Sequence, residues 1–139
     1  MSCDIHAMFE RKSDEYWINS GDPNMSRNYT IFAILGNVRN YDNIPYISEN
    51  RFDLNDDLCD LDICVEFRNS LEQWNGDAHS ASYTTLTELK QYDVDNKCVH
   101  KWPYAGYELQ NLIRYGENIK TFHKLDNDDD VRLAFFFDN

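Results

Sequence analysis

The sequence predicts an α+β fold, in which a small antiparallel sheet that includes both terminal strands packs against about four helices. Residues 3–9 alternate between two sets of side chains with the period of two that is typical of a β-strand. Residues 131–137 form an almost continuous apolar run at the other end of the chain. Between these segments, apolar residues recur at helical spacing, and these stretches follow residues that favour a helix start. Together these patterns predict a strand at each terminus and helices between them.

The first strand is followed by the signals of a hairpin. Residues 10–14 are polar and typical of a turn, and residues 15–18 predict a short return strand. Residues 19–24 contain Gly, Asp and Pro, which predicts a loop.

Four later segments predict helices, over residues 26–38, 58–74, 86–92 and 104–124. Ser26 and the Asn-Asp-Asp run before Leu58 supply N-caps for the first two. Thr85 and Glu88 have the Thr-x-x-Glu spacing of a capping box for the third. We expect loops at 40–55 and 93–103, and a solvated acidic turn at 126–130.

Length and composition predict a single domain, residues 1–139. Eight Phe, nine Tyr and three Trp supply the apolar bulk of one core. No apolar run approaches the roughly 20 residues that span a bilayer, so we expect no membrane partner. The first residues lack the basic start and apolar stretch of a signal peptide, which predicts a cytoplasmic location.

The formal net charge of −12 has two interpretations. It disfavours binding to long nucleic acid, which depends on neutralising phosphates with Lys and Arg. The simpler interpretation is that the charge provides solubility. The more specific interpretation is an acidic surface that docks on a basic groove, as a nucleic-acid mimic would.

Two Asp-x-His motifs, Asp4-x-His6 and Asp77-x-His79, are the strongest candidates for a polar site. On a strand, this spacing places the carboxylate and the imidazole on the same face. Such a pair suits a divalent metal or general acid–base chemistry. The alternative is a hydrogen-bonded pair without a chemical role, which is favoured for either motif alone. Antiparallel pairing of the terminal strands would also bring Asp138 beside Asp4 and His6.

Two serines and three arginines could complete an anion site. Ser80 and Ser82 follow the second motif and precede a helix start, a combination that favours anions. Simple helix capping is the favoured alternative for Ser82. The guanidinium groups of Arg27, Arg39 and Arg51 suit phosphate, although pairing with the many acidic side chains is the better interpretation of each one singly.

Several stretches together resemble a family of small uncharacterised proteins of tailed phages and prophages. The stretches include Cys3-Asp4-Ile5-His6, Trp74-Asn75-Gly76-Asp77-Ala78-His79-Ser80-Ala81-Ser82 and Phe135-Phe136-Phe137-Asp138-Asn139. The chain departs from the family pattern at Tyr83-Thr84, where similar proteins have a Trp-Leu pair, and in the 40–55 loop, which lacks a Gly-Leu-Pro run. The resemblance implies an accessory role in the host cytoplasm and no particular reaction.

The leading hypothesis is a pocket for a small phosphorylated, nucleotide-like ligand, such as a host defence signal, which the protein sequesters or cleaves. The predicted ligand-binding residues are Asp4, His6, Arg39, Arg51, Asp77, His79, Ser80 and Ser82. One alternative is an acidic, non-enzymatic inhibitor that docks on a basic host enzyme of nucleic-acid metabolism. The other is a metal-dependent hydrolase, for which a divalent metal would be the cofactor; the leading hypothesis requires none.

Overall fold

The four strands of the computed structural model, which describes residues 2–139, form one antiparallel sheet. The strands are β1 (Asp4–Ser13), β2 (Tyr16–Gly21), β3 (His79–Thr85) and β4 (Val131–Asp138), in the spatial order β2-β1-β4-β3. The two terminal strands are therefore the central pair, with Asp4 opposite Asp138 and Arg11 opposite Val131. The predicted α+β fold and the pairing of the chain's two ends are confirmed.

Five α-helices cover the sheet: α1 (Tyr29–Gly36), α2 (Val65–Gln73), α3 (Leu86–Asn96), α4 (Cys98–Lys101) and α5 (Pro103–Phe122). Four of them have at least eight residues, in agreement with the predicted number. Helices α1, α3, α4 and α5 pack on one face of the sheet, and α2 packs on the other. Across residues 2–139, no helix combines the length and the apolar character needed to cross a bilayer.

Strand β4 is buried on both faces, which explains its nearly continuous apolar sequence. Leu133, Phe135 and Phe137 point into the larger core beneath α1, α3 and α5. Ala134 and Phe136 point into the smaller core beneath α2. Each fully buried side chain of this size contributes about 1.5–3 kcal/mol relative to exposure. The central position of β4 thus follows from its composition.

Helix α1 begins later than predicted because Asn28, not Ser26, is its N-cap. The Asn28 side chain accepts hydrogen bonds from the backbone N–H groups of Thr30 and Ile31. The helix ends at Asn37, which adopts the left-handed conformation with φ of 59°. Residues 31–36 are all buried, so this short helix is held by packing.

The predicted helix over residues 58–74 is wrong in its first half. Leu58–Asp60 forms a single 3-10 turn that is capped by Asp57, and α2 begins only at Val65. The intervening chain is extended because the buried Glu10 carboxylate accepts the Cys64 N–H at 2.6 Å. A tertiary hydrogen bond therefore sets the start of α2.

Other boundaries also differ from the predictions. Strand β1 runs to Ser13, through most of the predicted 10–14 turn. Strand β2 runs to Gly21, into the predicted 19–24 loop. Strand β3 was not predicted, because its Ser and Ala residues carry little strand signal. The predicted 93–103 loop contains the end of α3 and all of α4, which are separated by Lys97 in the left-handed conformation.

Candidate functional site

The first Asp-x-His motif forms a hydrogen-bonded pair with the C-terminal strand. His6 Nε2 lies 2.6 Å from Asp138 Oδ2, as the pairing of the terminal strands predicted. The His6 ring stacks on Phe136 with 4.7 Å between centroids and also contacts Trp74 at 4.6 Å. This pair lies on the α2 face of the sheet, because Phe136 belongs to the core beneath α2.

The second motif lies on the opposite face. His79 is opposite Phe137 in the β3–β4 register and lies near its ring, at 6.2 Å between centroids. Since Phe136 and Phe137 are consecutive in β4, they point to opposite faces, and so do the histidines beside them. The structure therefore does not bring His6 and His79 into one pocket. Asp77 is exposed in the turn before β3.

The His79 ring forms hydrogen bonds with two residues at the end of the sheet. Its Nε2 lies 2.6 Å from Asn139 Oδ1, and its Nδ1 lies 2.9 Å from Ser80 Oγ. Ser80 has a positive φ of 56° and belongs to the bulge between His79 and Ser82. Neither partner is Asp77, so these bonds do not make the second motif a carboxylate–imidazole pair.

Ser82 and Arg51 hold a loop against the outer edge of β3. Ser82 is fully buried, lies 2.8 Å from Ser48 Oγ, and accepts the Arg51 N–H. The Arg51 guanidinium forms a two-point ion pair with Glu88, with both N–O distances at 2.6 Å, and donates to the Tyr83 carbonyl. Both residues are engaged in structural contacts that cover a sheet edge.

Asp4 pairs with Arg27 and so fixes the direction of that arginine. Arg27 Nε and Nη2 donate to the two Asp4 carboxylate oxygens at 2.8 and 2.9 Å. These hydrogen bonds hold the pKa of the Asp4 carboxyl below its usual value. The side chains remain about half exposed, at 49% for Asp4 and 47% for Arg27. The pair uses two of the five N–H donors of a guanidinium.

Arg27 lines a surface cavity of about 540 Å³ between the start of α1 and the start of α5. Residues 26–30 form one wall and residues 102–105 form the other. Pro103 occupies the first turn of α5, and no side chain caps this helix. The N–H groups in its first turn have no partner within the helix. The cavity therefore combines a cation, an uncapped helix start and aromatic rings.

Two further cavities continue this one, and we call the three together the α1–α5 groove. A small cavity of about 90 Å³ adds Arg39 and Tyr41, and shares Tyr29 and Trp102 with the central one. The Arg39 guanidinium lies 5.3 Å from the centre of the Tyr29 ring, and its Nη1 donates to the Tyr41 hydroxyl at 3.3 Å. Arg39 is thus the one predicted ligand-binding residue that lines the groove.

At the other end, a cavity of about 390 Å³ adds Tyr107 and Tyr115, and shares Ser26 and Tyr104 with the central cavity. Glu108 also lines this cavity, and Asn28 and Ser26 lie near its carboxyl. Burial raises the pKa of Glu108. The loop that carries Arg27 therefore lies close to Glu108 of α5.

The predicted residues do not provide a metal centre. Within residues 2–139, no group of three or more His, Cys, Asp or Glu side chains is arranged to hold a metal ion. The His6–Asp138 pair alone has too few donors for a protein metal site, which typically has three or four.

No family model, curated protein or solved structure matches this chain. The geometry of the α1–α5 groove is therefore the basis for inferring function.

Proposed function

We propose that the protein binds and sequesters a small phosphorylated, nucleotide-like ligand in the α1–α5 groove. The observation that carries this proposal is Arg27, which pairs with Asp4 and lines a cavity that also contains the uncapped start of α5. The volume of about 540 Å³ falls within the range of roughly 300–1,000 Å³ that is typical of small-molecule sites.

Arg27 is the group best placed to meet a phosphate. A guanidinium donates two parallel hydrogen bonds to phosphate oxygens, and its charge strengthens each of them. Arg39 lies at the far end of the same groove and offers a second guanidinium. The aromatic rings of Tyr29 and Trp102 line the groove between the two arginines and offer faces for a planar group.

Binding without cleavage fits this arrangement better than hydrolysis. The His6–Asp138 pair does not line the groove; it packs on Phe136 at the α2 face, at the strand end where Asp4, opposite Asp138, pairs with Arg27. The groove itself is lined by no imidazole among residues 2–139. In the phage context that the sequence resemblance suggests, holding a host defence signal out of reach would be sufficient.

Calorimetric titration of the full chain with AMP, cyclic AMP and ADP-ribose, with and without Mg²⁺, tests the proposal. We expect at least one of them to bind, and Arg27→Gln to weaken that binding by about tenfold or more, the typical effect of losing a hydrogen bond to a charged group. Arg68→Gln is the matched control, because it removes the same charge from α2 on the other face.

The same titration separates the groove from the Asp-x-His motifs. His6→Ala and His79→Ala should bind as tightly as the original chain. If AMP, cyclic AMP and ADP-ribose all fail to bind, or if the Arg27→Gln variant binds as tightly as the original chain, the proposed function is wrong. If instead a histidine variant abolishes binding, the ligand lies at the end of the sheet and not in the groove.

A second candidate function, inhibition of a basic nucleic-acid enzyme, is favoured by the segment from residue 53 to 62. It carries exposed aspartates at 53, 56, 57, 60 and 62, and the Asp62 carboxylate lies 4.0 Å from Lys12 Nζ. In the other acidic run, at residues 126–130, Asp128 accepts from both Lys90 and Lys120. This candidate requires that Asp56→Lys/Asp60→Lys abolish the inhibition of such an enzyme while Arg27→Gln does not.

A further inference from the structure

Tyrosines dominate one end of the α1–α5 groove. Tyr104, Tyr107 and Tyr115 lie at positions i, i+3 and i+11 of α5, and so share one side of that helix. Tyr104 is 88% exposed and Tyr107 is 59% exposed, although large aromatic side chains are usually buried. Two adjacent exposed rings that line a cavity of about 390 Å³ are an unexplained apolar surface.

The third ring forms a rigid floor for this cavity. Tyr115 stacks on the buried Phe9, with 4.8 Å between centroids and only 6° between the ring planes. Its hydroxyl also lies close to Gly21, where no side chain beyond hydrogen would fit. Tyr115 is therefore fixed by the core, whereas Tyr104 and Tyr107 are free to close on a ligand.

Polar side chains line the same cavity as the rings. Asn24 and Asn111 line the cavity, and each side-chain amide offers both a donor and an acceptor. Glu108 also lines the cavity, and its carboxyl adds further hydrogen-bonding capacity. Aromatic faces with amide groups at the side are suited to the face and the polar edge of a nucleobase.

We propose that the cavity lined by Tyr104, Tyr107 and Tyr115, the tyrosine cavity, is a base subsite. The ligand of the groove is then a nucleoside 5′-phosphate. This inference rests on the proposed function, because it takes the phosphate to lie at Arg27. Ser26 and Tyr104 line both cavities, so one ligand can reach from the guanidinium to the rings of Tyr104 and Tyr107. Base–aromatic stacking typically changes affinity by roughly 5- to 150-fold for each base.

The experiment compares AMP and UMP with ribose 5-phosphate, adenosine and inorganic phosphate, by calorimetric titration of the full chain. We expect a nucleoside 5′-phosphate to bind at least tenfold more tightly than ribose 5-phosphate. Tyr107→Leu, which keeps an apolar helix-forming residue at the same exposed position, should reduce that ratio to near one while ribose 5-phosphate binding is unchanged. Phe122→Leu is the matched control, because Phe122 is an exposed aromatic of α5 outside this cavity.

The outcomes separate the two proposals. If ribose 5-phosphate binds as tightly as AMP and UMP, or if Tyr107→Leu leaves the ratio unchanged, the base subsite is refuted while the phosphate site stands. If Phe122→Leu lowers the ratio as much as Tyr107→Leu, the tyrosine cavity is likewise refuted as the base subsite. If none of the phosphorylated compounds binds, the proposed function fails, and the base subsite fails with it.

Discussion

The buried ion pair between Glu10 and Arg132 offers the strongest single test of how this fold is held together. Arg132 Nε donates to Glu10 Oε1 at 2.7 Å, and the two side chains are only 5% and 0% exposed. The other Glu10 oxygen accepts the Cys64 N–H, and Arg132 also donates to the Asp62 carbonyl. The pair therefore joins the two central strands to the segment that leads into α2.

Replacing Arg132 with Met would remove the charge and keep most of the apolar length. The guanidinium now lies over the Trp17 ring, 3.9 Å from its centre, a position that a thioether can still occupy. The variant leaves the Glu10 carboxylate buried without its cation, and breaking one side of a buried pair costs about 3–5 kcal/mol. With a urea m-value of about 2 kcal/mol/M, the unfolding midpoint should fall by roughly 2 M.

Urea denaturation followed by circular dichroism would measure that change. The double variant Glu10→Leu/Arg132→Met should recover part of the loss, because no unpaired charge remains and apolar replacements of buried pairs are often tolerated. The recovery should be incomplete, since the Cys64 N–H and the Asp62 carbonyl lose their partners. A midpoint shift below about 0.5 M for Arg132→Met would refute the reasoning.

Two further predictions concern α5. Burial raises the pKa of Glu108, so its contribution to stability is present below its unfolded-state pKa of about 4.5 and is lost as the pH rises through its folded-state pKa. Glu108→Gln should therefore gain thermal stability relative to the original chain at pH 7 but not at pH 4; a pH-independent difference would contradict this. In Gly106→Ala, the new Cβ would lie 2.3 Å from the Val99 backbone nitrogen, so α4 and α5 must separate, and we expect a loss of about 1–3 kcal/mol in urea unfolding. Gly116→Ala should cost less, because its Cβ meets the flexible end of Leu86, and equal losses for the two variants would contradict the packing argument.

The pairing of the chain's ends could be predicted because the sequence of each terminal strand indicates by itself which of its side chains are buried. Strand β4 is apolar on both faces, and β1 alternates, so each specifies a strand without reference to its neighbours. Their antiparallel pairing then fixed the contact between His6 and Asp138. Local sequence patterns were sufficient here because alternation with a period of two identifies a segment as a β-strand and shows which side chains share a face of the sheet.

The separation of His6 and His79 could not be predicted in the same way. The face on which His79 lies depends on the register of β3 against β4, and a shift of one residue would move it to the other face. That register includes a bulge at Ser80, whose left-handed conformation has no clear sequence signal in a non-glycine residue. The assignment of one pocket to both motifs assumed a register that the sequence does not specify.

The groove was missed for a different reason, because its two walls are more than 70 positions apart in the chain. Arg27 looked like one more partner for an acidic side chain, and it does pair with Asp4. Only the packing of α5 against α1 shows that this ion pair borders a cavity with Trp102 and Tyr104. A useful signal was the Trp-Pro-Tyr sequence at 102–104, where Pro begins a helix and large aromatic residues flank it.

The position of the groove reconciles a net charge of −12 with an anionic ligand. Charges in water are screened over about 8 Å at physiological ionic strength, so a small phosphate in the groove responds mainly to the charged groups nearby, which are Arg27 with its partner Asp4, Arg39, Asp42 and Glu108. The aspartates at 53–62 belong to the segment that packs on the other face, with the sheet and a helix layer between them and the groove. A long polyanion cannot be confined to the groove and would meet the acidic surface along its length. Under the proposed function, this charge distribution would admit a single phosphorylated nucleoside and exclude nucleic acid, which is the selectivity that sequestering a nucleotide requires.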